Sequence, residues 1–270
     1  MQLDDRILDI LRNSGDLYVS GEELCKLAGI SRAAIWKRIE RLREEGYDIE
    51  ASPHLGYRLA GMPDTLIPSE IRWKLDTKYL GREIISYKKV DSTNIAAYQL
   101  AEKGLKEGAV IFAEEQARGK GRQGRVWQSP PKCGIYMSCI LRPHITPNEI
   151  PKITLIAAVA VAKALREFTG LDAMIKWPND ILINGKKVCG ILTEMKAEQD
   201  GVDFIILGIG VNVNTHPKDL PRNGSSLKEE LRAFRGDEDL SRVDLAKKIL
   251  EALEKYYNIL KKEGSRSIIE

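Results

Sequence analysis

Three short bursts of apolar residues at helical spacing open the chain, each bounded by a residue that starts or stops a helix. Residues 4–13 set Ile7, Leu8 and Leu11 on one face. Ser20 can N-cap a second helix through Leu27 that Gly29 ends, and Ser31 can N-cap a third that ends at Gly46, with Ile35, Ile39 and Leu42 in one stripe. Two helices joined by the short Ala28-Gly29-Ile30 junction form a helix-turn-helix, and the third helix's start at Ser31, Arg32 and Ala33 suits a DNA major groove. Residues 47–51 and 56–59 then alternate as two short strands around Ser52-Pro53-His54-Leu55, which makes a wing.

Beyond residue 62 the pattern changes to strands interleaved with longer helices. Pro63, Pro68 and the polar residues between them predict a linker, with a short helix at 71–80. Strands are predicted at 83–90, 109–113, 134–141 and 204–212, and helices at 94–103, 151–169 and 243–262. Ile181-Leu182-Ile183 and residues 188–195 flank Asn184-Gly185-Lys186-Lys187, a hairpin signal because Asn-Gly suits the type I′ turn. Hairpins alternating with separated helices indicate an α+β fold with a mixed sheet. The expected organisation is a winged helix-turn-helix over 1–62, a linker and short helix over 63–82, and a larger domain over 83–270.

Composition narrows the class. At 270 residues the chain can bury a real core without staples. Its four cysteines are scattered with no C-x-x-C pair, and its three histidines lie far from one another, which argues against both a disulfide framework and a zinc site and fits a reducing cytoplasm. No signal peptide is visible, and the longest apolar run, 155–162, is far short of a membrane span. Net charge of +3 does not imply nucleic acid by itself, and residues 1–61 hold nine Lys/Arg against eleven Asp/Glu. The cations there concentrate in the third helix as Arg32, Lys37, Arg38, Arg41 and Arg43, a focused patch that can still meet phosphates. Trp36 and Lys37 are the side chains expected nearest bases or backbone, although Trp36 could equally pack against the wing.

Three clusters carry candidate chemistry. Residues 116–132 contain five cations, three closely spaced glycines and no acid, the composition of an anion-binding loop or of a solvated basic turn. Gly119, Gly121 and Gly124 satisfy G-x-G-x-x-G, but Pro130 and Pro131 follow where a dinucleotide fold needs a helix, and no Gly-Lys-Ser/Thr closes a P-loop. Asp91-Ser92-Thr93-Asn94 places two hydroxyls at a strand-to-helix junction, where they can cap the helix or donate to a small polar ligand. In Lys176-Trp177-Pro178-Asn179-Asp180, Pro178 forces Trp177 extended and holds Lys176 and Asn179 at a kinked strand end.

In this order the segments resemble biotin protein ligases, specifically the bifunctional kind that doubles as a biotin-operon repressor. The likeness runs from Ser31-Arg32-Ala33-Ala34-Ile35 through Asp91-Ser92-Thr93-Asn94, Gln116 with Gly119-Lys120-Gly121-Arg122 to Trp127, and Lys176-Trp177-Pro178-Asn179-Asp180. It continues through Lys187-Val188-Cys189-Gly190-Ile191-Leu192 to Gly208-Ile209-Gly210-Val211-Asn212. The resemblance implies a class II synthetase-like catalytic domain in which biotin and ATP, with Mg2+, give biotinyl-5′-adenylate, and a carboxyl carrier lysine then takes the biotinyl group. It implies Lys176, Arg122 and Lys120 as catalytic cations, Lys176 bridging the biotin carboxylate and α-phosphate.

The implied biotin site comprises Ser92, Thr93, Asn94, Gln116, Gly119, Lys120, Arg122, Lys176, Gly190 and Gly208. Arg122, Arg125, Trp127, Asn179 and Asn212 would face the nucleotide, with Trp127 alternatively a packing anchor for the loop. Ser31, Arg32, Ala33, Trp36 and Lys37 would face operator DNA, with a homodimer when biotinyl-adenylate is bound, no resident metal site and no membrane. Family members carry a small β-barrel after the last helix, and here that helix is followed only by Gly264-Ser265-Arg266-Ser267-Ile268-Ile269-Glu270. The cap is therefore expected to be missing, which leaves open a biotin-sensing regulator with impaired or no ligase activity.

Overall fold

The computed structural model describes residues 3–198 and 201–263, and its contacts divide the chain into two compact units, Met1–Asp64 and Thr65–Glu270. The segment following Glu263, on which the missing cap was read, lies outside the described residues.

The first unit runs α1 (Leu3–Asn13), α2 (Gly21–Ala28), α3 (Arg32–Glu44), β1 (Asp48–Ser52) and β2 (Gly56–Gly61). Both serines cap as their positions require: Ser20 Oγ accepts from the Glu23 amide at 3.1 Å, and Ser31 Oγ from the Ala34 amide at 3.3 Å. Gly29 ends α2 at φ 74°. Ile7, Leu8, Leu11, Leu24, Ile35, Ile39, Leu42 and Ile49 form one buried cluster. Val19 pairs with Tyr57, so the wing gains a third strand position from the turn before α2.

The second unit contains α4 (Pro68–Arg72), β3 (Ile84–Tyr87), α5 (Thr93–Glu102), β4 (Val110–Ala113), β5 (Gly134–Leu141), α6 (Ile150–Thr169), β6 (Met174–Lys176), β7 (Asp180–Ile183), β8 (Lys186–Glu198), β9 (Gly201–Asn212), α7 (Leu227–Arg235) and α8 (Arg242–Glu263). Its seven strands lie in the order β3-β4-β5-β9-β8-β7-β6; β3 and β4 are parallel and every other pair antiparallel, giving the expected mixed sheet. Strict alternation sorts the strands' two faces. Ile135, Met137, Cys139, Leu141, Ile205, Leu207, Ile209 and Val211 join α6 and α8 in the large core, whereas Ile140, Phe204 and Ile206 pack with Ala96, Ala97 and Ala101 of α5 on the other side.

Residues 63–82, read from sequence as linker and short helix, pack mostly as part of this second unit: Leu66, Ile71, Leu75 and Leu80 all enter the large core. The helix expected at 71–80 is instead the five-residue α4. Lys74 sits at φ 57°, and the amides of Lys78, Tyr79 and Leu80 donate to the Glu254 carboxylate at 2.6, 3.0 and 2.8 Å instead of to helical carbonyls. Asn184 and Gly185 both take positive φ, 50° and 78°, as a type I′ turn demands.

Candidate functional site

The sheet face that carries α5 bears small residues where β5, β9 and β8 run side by side. Ser138 is opposite Gly208, which is opposite Leu192, and Gly210 is opposite Gly190. Glycine at these inward positions leaves a floor of bare backbone on which two side chains rest. A Cβ at Gly208 would fall 2.1 Å from Asn94 Oδ1, and one at Gly210 would fall 2.5 Å from the Trp127 ring.

The first wall is the N-terminus of α5. Ser92 is its N-cap residue but makes no side-chain capping bond, so its hydroxyl stays uncommitted beside the floor. The capping role falls to Gln116 from the following loop, whose Oε1 accepts from the Thr93 amide at 2.8 Å and from Thr93 Oγ1 at 3.1 Å, while its Nε2 donates to Ser129 Oγ at 2.8 Å. Ser138 Oγ donates to Asn94 Oδ1 at 2.6 Å and lies 2.8 Å from Thr93 Oγ1. Asn94 Nδ2 donates to Glu194 Oε2 at 2.7 Å, so both ends of the Asn94 amide are held by protein.

The glycine loop is the second wall, and it is a tight hairpin rather than an open coil. Lys120 bridges to Val126, the Gly121 amide donates to Arg125 O at 2.7 Å, and the Trp127 amide donates to Gly119 O at 2.8 Å. Gln123 and Gly124, at φ 57° and 73°, turn it. Two side chains tie the hairpin to the sheet: Arg122 Nη1 donates to Asn179 Oδ1 at 3.0 Å, and Lys120 Nζ to Glu194 Oε1 at 3.2 Å. Its Trp127 lies in the cleft with Lys187 Nζ 5.3 Å from the ring centroid.

Together these walls line an open cleft. It gathers Ser92, Thr93, Asn94, Gln116, Lys120, Arg122, Trp127, Asn179, Gly190 and Gly208 from the residues expected by sequence. Four others lie elsewhere. Gly119 sits behind the cleft as a spacer, where a Cβ would meet Trp127 O at 2.3 Å. Arg125 is exposed and does not line the cleft. Asn212 is buried and donates through Nδ2 to Ser225 O at 3.0 Å, a structural tie to the loop before α7.

The fourth, Lys176, is the main correction. It is exposed on the edge strand β6 and is not part of the cleft wall; the lysine that lines the cleft is Lys187. Strict alternation from Gly190 would turn Lys187 to the opposite face. The β7–β8 ladder, however, pairs Ile181 with Cys189 and Leu182 with Lys187, so Val188 is an extra residue. This bulge buries both Val188 and Cys189 and returns Lys187 to the side of Gly190. Cys189 is fully buried, and burial pushes its thiol well above the ordinary range, which removes it as a nucleophile. Among the described residues no three His, Cys, Asp or Glu side chains converge on a metal position.

In the first unit, Ser31, Arg32, Ala33, Trp36 and Lys37 are all exposed along one stretch of α3. The five-cation patch is smaller than the sequence implied. Arg38 pairs with Asp4 at 3.0 Å, Arg41 with Glu45 at 3.0 Å, and Arg43 with Glu40 at 2.6 Å, leaving Arg32 and Lys37 without an ion pair among the described residues. No helix among the described residues is long and apolar enough to cross a membrane.

The comparisons with known proteins agree with both units. Residues 87–212 match the Biotin/lipoate A/B protein ligase family, and residues 5–58 match an HTH domain. The bifunctional ligase/repressor BirA of Bacillus subtilis is 43% identical over 251 residues, covering 93% of this chain and 77% of that protein. BirA of Escherichia coli is 34% identical over 209 residues, covering 77% of this chain and 63% of that protein. The solved biotin protein ligase of Aquifex aeolicus in complex with biotin and ATP aligns at TM-score 0.57 and 29% identity, over 69% of this chain and 75% of that one. These matches favour a ligase with a DNA-binding domain over a regulator without ligase activity. The chain belongs to the biotin protein ligase family, in its bifunctional ligase/repressor branch.

Proposed function

We propose that the cleft of the second unit condenses biotin with ATP to biotinyl-5′-adenylate and transfers the biotinyl group to a carrier-protein lysine, while the first unit represses transcription at an operator. The observation that carries the reading is the cleft's polarity. Its lining combines neutral donors and acceptors from Ser92, Thr93 and Gln116 with the cations Lys120, Arg122 and Lys187. A ureido ring needs the first kind of surface, and a carboxylate meeting a triphosphate needs the second.

In the first step a biotin carboxylate oxygen attacks the α-phosphorus, the new P–O bond forms and pyrophosphate leaves. Two anions must approach, so cations fixed at their meeting point lower the barrier most. Lys187 takes this role in place of Lys176, with Arg122 beside it and Asn179 shaping the nucleotide side. Trp127 presents a ring face for the adenine. In the second step the carrier lysine, as the free amine, attacks the acyl carbon, AMP leaves with the C–O bonding pair, and the amine proton passes to solvent. Water must stay out meanwhile, because the mixed anhydride hydrolyses readily, and the hairpin over the cleft serves that end.

For regulation, two copies joined when the adenylate is bound would present two winged helices to two half-sites. The chain's free thiols accord with a cytoplasmic setting. The direct test is biotin-dependent exchange of labelled pyrophosphate into ATP, followed by labelling of a biotin-acceptor domain. Exchange and labelling are the expected results; absence of both would overturn the assignment. Sedimentation with and without biotin and ATP tests the dimer.

A further inference from the structure

Glu194, on β8, stands outside the cleft wall yet touches both sides of it. Its Oε1 accepts from Lys120 Nζ of the hairpin at 3.2 Å, and its Oε2 accepts from Asn94 Nδ2 of α5 at 2.7 Å. Asn94 is itself immobilised, resting on the Gly208 backbone and bonded to Ser138. One carboxylate therefore joins the hairpin to the α5 wall. It lines the second cavity under the hairpin, with Leu192 and residues 117–126, and is absent from the wall of the substrate cleft. A bond at that place can persist while the cleft is full, because no ligand has to displace it.

We propose that Glu194 is a positioning residue that latches the hairpin, and that Lys120 acts through this latch instead of stabilising charge at the α-phosphate. The proposal rests on the cleft being the adenylating site. Lys187 and Arg122 supply the reacting centre, and Lys120 spends its charge on Glu194. The pair is partly exposed, with side-chain accessibilities of 42% and 33%, so it holds the lid modestly and reversibly. That strength suits a lid that must open once per turnover to admit the carrier lysine.

The test compares adenylate retention with adenylate formation in the full chain. Glu194→Gln keeps an acceptor for Asn94 and removes the charge that holds Lys120. Release of biotinyl-adenylate from Glu194→Gln, and from Lys120→Met, should accelerate about two- to fivefold, the range of an exposed ion pair. The double variant should be no faster than either single one, and Lys120→Arg should restore retention. Pyrophosphate exchange at saturating substrates should keep its kcat in Glu194→Gln. The latch is overturned if the two single effects multiply in the double variant, if release is unchanged in Glu194→Gln, or if only Lys120→Met loses exchange. Thermal melting of each variant separates these results from unfolding. Exchange by the unaltered chain tests the adenylation reading by itself, so failure there and failure of the latch are distinct outcomes.

Discussion

Lys187 Nζ lies 2.6 Å from Asp180 Oδ1, an ion pair across the β7–β8 hairpin that holds the ammonium at the cleft rim. Lys187→Met should lower biotin-dependent pyrophosphate exchange by about a hundredfold or more, the usual loss when a preorganised group facing developing charge is removed. Lys176→Ala, on the exposed edge strand, should lower it by less than about threefold, within the small range of surface substitutions. Measuring kcat for exchange in both variants decides between the two lysines.

The glycine floor gives a second expectation. A methyl group at Gly210 would sit 2.5 Å from the Trp127 ring, which is hemmed in by the hairpin and by Gly190 beneath. Gly210→Ala should cost about 1–3 kcal/mol of strain, as overpacking does. Since the ring relieves that strain by moving, the KM for ATP should rise more than the KM for biotin. Equal KM values for the altered and unaltered chains would show that Trp127 does not face the nucleotide.

Buried charge fixes the base of the hairpin. Arg242, only 2% exposed, donates from Nη1 to Glu114 Oε2 at 2.7 Å and lies within 3.3 Å of Gly134 O, while Glu114 Oε1 accepts from the Leu66 amide at 2.8 Å. Arg242→Met strands Glu114 in the core and should cost about 3–5 kcal/mol. The double variant Arg242→Met with Glu114→Gln should recover part of that loss, because no unpaired charge remains. Urea unfolding of the single and double variants measures both quantities.

Most of the architecture could be read from periodicity because most elements obey one rule at a time. The winged helix was legible from Ser20, Gly29 and Ser31, whose caps and stop are local, and the Asn184-Gly185 turn was legible for the same reason. What escaped depended on tertiary partners. The turns at 78–80 exist because Glu254, far along the chain, receives their amides, and no local signal marks that. Lys187 was hidden by the Val188 bulge, which reverses strand parity; two consecutive apolar residues ahead of Gly190 were the only trace in the sequence. Helix α7 was also missed, although Ser226 caps it at 3.4 Å from the Glu229 amide. In the opposite sense, the third helix's cations were overcounted, since Asp4, Glu40 and Glu45 neutralise three of them.

Acid should loosen the end of α8. Glu107 accepts from Tyr257 Oη at 2.7 Å and from Lys261 Nζ at 2.9 Å. Desolvation alone would raise its pKa, but the bonds from Tyr257, Lys261 and the Arg142 amide outweigh it and hold the carboxyl below its ordinary value. A carboxylate depressed in the folded state contributes stability that is fully present above its unfolded pKa, about 4.3, and is lost as pH falls through the folded value. Between pH 7 and pH 3 the unaltered chain should therefore lose more stability than Glu107→Gln does. Parallel urea midpoints across that range would refute the role.

Recognition of DNA should rest on Lys37 and Arg32 much more than on the paired arginines of α3. Lys37 is exposed one position after Trp36, one turn into the helix, whereas Arg38 is turned back onto Asp4 of α1. If Lys37 neutralises one phosphate, Lys37→Ala should weaken binding at every sequence about equally and reduce the salt dependence of log K by about one. Arg38→Ala should instead lower the stability of the first unit by removing the nearer of Asp4's two arginine partners, Arg41 at 3.6 Å being the other, with the salt slope intact. Titrating operator and random DNA at several salt concentrations distinguishes the two: a salt slope unchanged by Lys37→Ala would move the phosphate contact elsewhere on the winged helix.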